Sequence, residues 1–299
     1  MDLERVDPEL REAVTALPGI DLRRPIGRRL GRVAPRLMRW PREPGVRIRR
    51  DRLGGVRVRT YAPPGIRSDA VLLWVHGGGM IIGAPHMDDR VCSEIAARVG
   101  IAVVSVDYRL APEHPFPAPL DDCARVFAAL AAQGRERLAV GGQSAGAGIA
   151  ASLAQRLLDD GGAQPVAQLL FCPMLDDRTA ARTELDVERH FVWDNRSNRL
   201  GWRALLAREP GAEAVPQHAV PARRDDLRGL PHAWIGVGDL DLFHEEDVDY
   251  AERLRAAGVD VQLDVVPGAP HGLDAIAGGS RLAAEHRRSA IDWLARTLG

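Results

Sequence analysis

Two glycine-bracketed patterns in this 299-residue chain carry groups able to attack or polarise a carbonyl. The first is Gly142-Gln143-Ser144-Ala145-Gly146, a G-x-S-x-G that directly follows the apolar run 138–141 and opens an Ala-rich stretch. In a strand–turn–helix setting, so tight a turn leaves no room for side chains two residues before or after the serine. It should lift Ser144 Oγ above a sheet, facing solvent, with a helix N-terminus aimed at it. Free N–H groups and the positive end of the helix dipole favour developing negative charge there. The second pattern is Val75-His76-Gly77-Gly78-Gly79, also at the end of an apolar run. Three glycines let the backbone approach a substrate closely and turn N–H groups toward a carbonyl oxygen. A merely flexible loop would not explain its place at a strand end, one helix–strand unit before the serine.

A serine hydroxyl needs a base, and the base an orienting acid; after an elbow of this kind they follow in the order Ser, acid, His. Gly238-Asp239-Leu240-Asp241 follows the apolar run 233–237, and Pro267-Gly268-Ala269-Pro270-His271-Gly272 follows the run 261–266. Of nine histidines, His271 stands in a Gly/Pro loop after a late strand. His86, His114, His190, His218, His232, His244 and His286 read as surface, cap or core-satisfied residues. Pattern alone leaves Asp239 and Asp241 both open. Glu245, Glu246 and Asp247 read as the acidic first turn of a helix.

The elements that must position these residues alternate. Strand-like runs at 56–61, 71–75, 101–106, 138–141, 168–172, 233–237 and 261–266 are separated by helical stretches near 88–99, 120–132, 144–158, 245–257 and 282–298. Such alternation implies an α/β fold, a mostly parallel sheet with helices on both faces. Residues 56–175 and 231–299 form the expected core. Residues 1–55 read as an irregular, partly helical arm, and 176–230 as an insertion with helical material at 193–208; together they are expected to cap the site. The aromatics Phe191, Trp193 and Trp202 read mainly as the insertion's own core.

Composition narrows the classes further. The chain is 45% hydrophobic and 27% charged with a formal charge of -1, which fits a soluble globular protein without a global pull toward nucleic acid. Every one of the 40 basic residues is Arg, which removes Schiff-base, pyridoxal-phosphate and Walker-A chemistry. Cys92, Cys123 and Cys172 are widely spaced in apolar contexts and read as buried thiols, not a zinc site or disulfide framework. Met1–Ile20 has no apolar core for a signal peptide, and no run approaches membrane-spanning length, so a cytoplasmic protein is expected. Eleven arginines between Asp21 and Arg50 face only Asp21 and Glu43 in charge, yet Trp40 is the lone aromatic there. A solvated face of a packed cap is the preferred reading over a nucleic-acid site. Gly146-Ala147-Gly148-Ile149-Ala150-Ala151 fits a dinucleotide fingerprint but begins inside the presumed helix, and reads as close helix packing.

Taken together, these motifs resemble the bacterial hormone-sensitive-lipase-like esterases, a branch of the α/β-hydrolase fold. The matching residues are His76-Gly77-Gly78-Gly79, the stretch Asp107-Tyr108-Arg109 through Ala118, Gly142–Gly146, Asp241 with Tyr250-Ala251, and His271-Gly272. The resemblance runs from about Tyr61 to the C-terminus and favours Asp241 as the acid. It implies a serine carboxylesterase acting on short- to medium-chain esters with Ser144, Asp241 and His271 catalytic. The N–H groups of Gly78, Gly79 and Ala145 would form the oxyanion hole, with His76 and Gly77 supporting it. The 108–118 stretch would brace the glycine loop. No cofactor or metal is expected, and a homodimer is compatible. Gln143, Met80 and the Asp241-Leu242-Phe243-His244-Glu245 stretch depart from the family's usual residues. An amidase or acyltransferase with the same triad, or a non-catalytic ligand-binding relative, remains as an alternative.

Overall fold

The computed structural model describes residues 2–16, 22–187 and 190–299. Met1 and the stretch 17–20 of the acidic N-terminal segment, with Asp21 at the head of the arginine-rich run, lie outside the described residues, as do 188 and 189 of the insertion. The strands are β1 Arg47–Leu53, β2 Val56–Ala62, β3 Val71–Val75, β4 Ala102–Val106, β5 Leu138–Gln143, β6 Ala167–Phe171, β7 His232–Gly238 and β8 Val261–Val266. They form one sheet in the order β1-β2-β4-β3-β5-β6-β7-β8. Pairing is antiparallel across β1/β2 and β2/β4 and parallel from β4 through β8.

The helices are α1 Arg11–Thr15, α2 Pro25–Leu37, α3 Asp89–Val99, α4 Ala118–Ala131, α5 Ala145–Asp160, α6 Asp177–Ala181, α7 Asn195–Leu206, α8 His244–Ala256, α9 Leu273–Ala277 and α10 Arg281–Leu298. The central strands are buried on both faces, so successive side chains enter opposite layers. Leu73, Val75, Val140, Leu170 and Ile235 join the layer with α4, α5 and α8. Leu72, Trp74, Ala139, Leu169, Phe171 and Trp234 join the layer with α3 and α10. Among the described residues, no helix is long and apolar enough to cross a membrane.

Two expectations need correction. Residues 47–53 are not irregular arm: they form the edge strand β1, paired in full register with β2. Its sequence, RIRRDRL, is exposed or half-buried at every position, so it lacks the apolar alternation that reveals a strand. Trp193 and Trp202 belong to the main core cluster and not to a separate core of the insertion. Glu245, Glu246 and Asp247 do form the acidic first turn of α8, with Glu246 and Asp247 buried and Glu245 exposed.

The N-terminal residues are anchored. Val6, Leu10 and Val14 pack with Leu240, Ala269, Leu273 and Ala283 in a satellite cluster. Asp7 N–H donates to Gly268 O at 3.0 Å, so this segment lies against the two loops that follow β7 and β8.

Candidate active site

The carboxyl ends of β3, β5, β7 and β8 carry the four motif loops, the usual ligand edge of an open parallel sheet. After β5 the chain turns at Ser144 with φ 55° and ψ -123° and enters α5 at Ala145. A non-glycine residue at positive φ stores strain, which the flanking glycines make tolerable. A Cβ on Gly142 would sit 2.5 Å from Val75 O, and one on Gly146 only 2.1 Å from the same oxygen. Both glycines are therefore required by the approach of β3 to the elbow, as the motif predicts. Gly148, the next glycine of the apparent dinucleotide pattern, would meet Met174 O at 2.1 Å, which identifies that pattern as close packing.

Three side chains distant in sequence converge here. Ser144 Oγ lies 2.9 Å from His271 Nε2, and His271 Nδ1 lies 2.8 Å from Asp241 Oδ2. The other Asp241 oxygen accepts from Phe243 N–H at 2.9 Å, which fixes the carboxylate plane. The imidazole meets the Phe243 ring edge-on at 5.1 Å. With Nδ1 protonated, the ring donates to Asp241 and offers the Nε2 lone pair to the serine hydroxyl. Asp239, the alternative acid, instead accepts from Gly268 N–H at 2.7 Å and shapes the histidine loop.

The electrostatics suit a base. Burial disfavours the His271 imidazolium, but the facing Asp241 carboxylate and the adjacent Cys172 outweigh it, so its pKa stands well above the usual 6.5. Ser144, Asp241 and His271 are each no more than 6% exposed, which corrects the expectation of a solvent-facing hydroxyl. The covering comes from two directions. A Cβ on Gly77 would meet Ser144 Cβ at 3.5 Å, so the glycine loop lies on the elbow. The Trp193 ring of the insertion presses on that loop, 2.2 Å from where a Gly79 Cβ would stand.

The loop itself is well braced. Gly78 and Gly79 adopt φ of 117° and 58°, and among the described residues neither N–H donates a hydrogen bond. Gly78 O accepts from Ile81 and Ile82 N–H, closing the turn. His76 stacks on Tyr108 at 4.3 Å, its Nδ1 lies 2.8 Å from Gly77 O, and the Tyr108 hydroxyl donates to His76 O at 2.9 Å. Burial pushes the His76 imidazole down to about 4, so it stays neutral and structural. Ala111 N–H donates to Met80 O, tying the 108–118 stretch to the same loop.

Sequence reasoning missed two neighbours. Cys172, directly after β6 at φ 38°, was read only as a buried thiol, yet it lies with Asp241 and His271. The three ligand-type atoms fall within 4.8 Å of one another, and among the described residues this is the group that could meet a cation. Both imidazole nitrogens are already committed to Asp241 and Ser144, which leaves that group no free nitrogen donor. Glu246 accepts from Leu175 and Asp176 N–H and from the Thr179 hydroxyl, pinning the root of the insertion. Burial pushes its carboxyl up to about 8. Nothing local in the sequence separates Glu246 from an ordinary solvated helix turn.

Comparisons with known proteins point the same way. A family described by its alpha/beta hydrolase fold matches residues 72–275. The chain is 34% identical over 297 residues to Esterase LipI of Mycobacterium tuberculosis, covering 91% of this chain and 89% of that protein. It is 35% identical over 290 residues to Carboxylesterase NlhH of the same species, covering 89% and 88%. A solved bacterial heroin esterase superposes with a TM-score of 0.91 at 33% identity, covering 99% of both chains.

Proposed function

The chain belongs to the α/β-hydrolase fold family, and from that premise we propose that it is a carboxylic ester hydrolase working through an acyl-enzyme on Ser144. The observation that carries this reading is the continuous hydrogen-bonded line from Ser144 through His271 to Asp241, set against the Gly77–Gly79 loop. The esterase relatives named above support the ester-hydrolase class.

Ser144 Oγ attacks the ester carbonyl as His271 Nε2 takes its proton, and Asp241 stabilises the resulting imidazolium. The unengaged N–H groups of Gly78 and Gly79, with that of Ala145 at the start of α5, bind the tetrahedral oxyanion. Each such donor is worth about 3–4 kcal/mol of barrier. His271 returns the proton to the leaving alcohol oxygen. Water, deprotonated by the same imidazole, then releases the acid. The insertion, through Trp193 over Gly79, caps the site and limits the acyl group to short or medium length. His76 and Gly77 position the loop, and no cofactor enters the cycle. A homodimer and a cytoplasmic location are compatible with this reading and not required by it.

The triad does not encode the leaving group, so an amidase or acyltransferase is the competing reading. A matched p-nitrophenyl ester and p-nitroanilide of one short acyl chain separates them. The proposal predicts ester turnover far above amide turnover, and Ser144→Ala lowering the ester rate by about 10⁴-fold or more with an unchanged melting curve. Comparable ester and amide rates, or wild-type turnover in the variant, would overturn it.

A further inference from the structure

The helix α2 is inside out. Its buried positions are Gly27, Gly31 and Pro35, while its large apolar residues face outward. Ile26, Leu30, Val33 and Leu37 are 63%, 54%, 46% and 79% exposed, and Met38 at the helix end is 56% exposed. The spacing 26-30-33-37 places them in one stripe along a single helix face. These five are half of the large hydrophobic side chains that stand exposed among the described residues. A helix that docks on its own domain for stability buries such a stripe. Here the small residues do the docking: a Cβ on Gly31 would sit 2.9 Å from Ile82 Cγ2, and Gly83 N–H donates to Gly31 O at 3.2 Å.

Arginines outnumber acids around the stripe; the acids there are the half-buried Glu43, and Glu113, which pairs with Arg32. Arg29 lies beside it on the helix surface, and Arg39, Arg42, Arg47 and Arg49 follow along the chain into β1, all exposed. None of these five has an ion-pair partner among the described residues. The chain as a whole has a formal charge of -1, so this cation excess is local. Arg32, by contrast, is spent inward: its guanidinium donates to Ile81 O, Ala111 O and Glu113.

We propose that the outward face of α2 docks on an anionic lipid surface, the apolar stripe entering the headgroup boundary and the flanking arginines meeting lipid phosphates. A second copy of the chain fits poorly, because a two-fold contact through this face would set arginines against arginines. The inward bonds of α2 run to the segment just after Gly77–Gly79, so a surface held by α2 is held at the carboxyl end of β3.

Sedimentation with vesicles tests this without reference to catalysis. The protein should pellet with phosphatidylcholine–phosphatidylglycerol vesicles, much less with phosphatidylcholine alone, and be released by salt. Leu30→Glu with Leu37→Glu should abolish pelleting while turnover of a water-soluble ester stays at the wild-type level. Arg29→Glu with Arg39→Glu should weaken it about 25-fold or more, since each cation near such a surface contributes roughly five-fold. Equal pelleting by the Leu30/Leu37 variant and wild type would overturn the proposal. So would no binding to either vesicle, or a solution dimer that the same substitutions dissociate.

Discussion

At the residue scale the account rests on His271 working as a neutral base beside a buried carboxylate. Asp241 favours the imidazolium, so the folded-state pKa lies above the ordinary 6.5. Because the protonated ring cannot accept the Ser144 proton, kcat/KM should fall as pH drops through that raised value. A pH profile with a soluble ester is expected to show its acid limb centred above 6.5; a midpoint at or below that value would show that Asp241 does not outweigh the burial of the imidazolium. Ser144, Asp241 and His271 were legible in the sequence because each stands in a loop whose glycines and prolines have a steric purpose. The choice of Asp241 over Asp239 came from the family resemblance, and the structure gives its physical basis: Asp239 is engaged with Gly268 N–H, and Asp241 faces the imidazole. Cys172 and Glu246 were not legible. Their positions depend on crossings between distant elements, which leave no local pattern.

At the element scale the elbow is held by contact between β3 and the start of α5. Gly146 is the tightest point, since an added Cβ would lie 2.1 Å from Val75 O and 2.4 Å from His76 O, both backbone atoms that cannot rotate away. Gly146→Ala should cost at least the ~1–3 kcal/mol usual for overpacking. It should also push the serine turn away from the glycine loop, lowering both the melting temperature and ester turnover. Wild-type melting and activity in that variant would show that the elbow is looser than described. The parallel strands were readable as continuous apolar runs because both of their faces are covered. β1 was not, because it is an arginine-rich edge strand in which only Ile48 and Leu53 pack partly against the core. The arginine-rich composition likewise makes 25–37 read as solvated arm, and sequence alone does not say that the apolar side of α2 faces out.

At the scale of the whole molecule, the N-terminal segment and the catalytic loops form one mechanical unit. Leu10 is fully buried among Leu240, Ala269 and Leu273, beside the loops that carry Asp241 and His271. Leu10→Ala should destabilise the protein by about 2–5 kcal/mol, read as a lowered urea midpoint, with turnover falling in parallel; an unchanged midpoint would mean the segment is only draped on the surface. The central claim is that one hydroxyl among all those in the chain is activated by its neighbours. Intact mass spectrometry after reaction with a fluorophosphonate measures this directly, followed by peptide mapping of the adduct. The account predicts one adduct per chain, located on Ser144, and none in Ser144→Ala or after protonation of His271 at low pH. Labelling of any other residue, or full labelling of the Ser144→Ala protein, would contradict it.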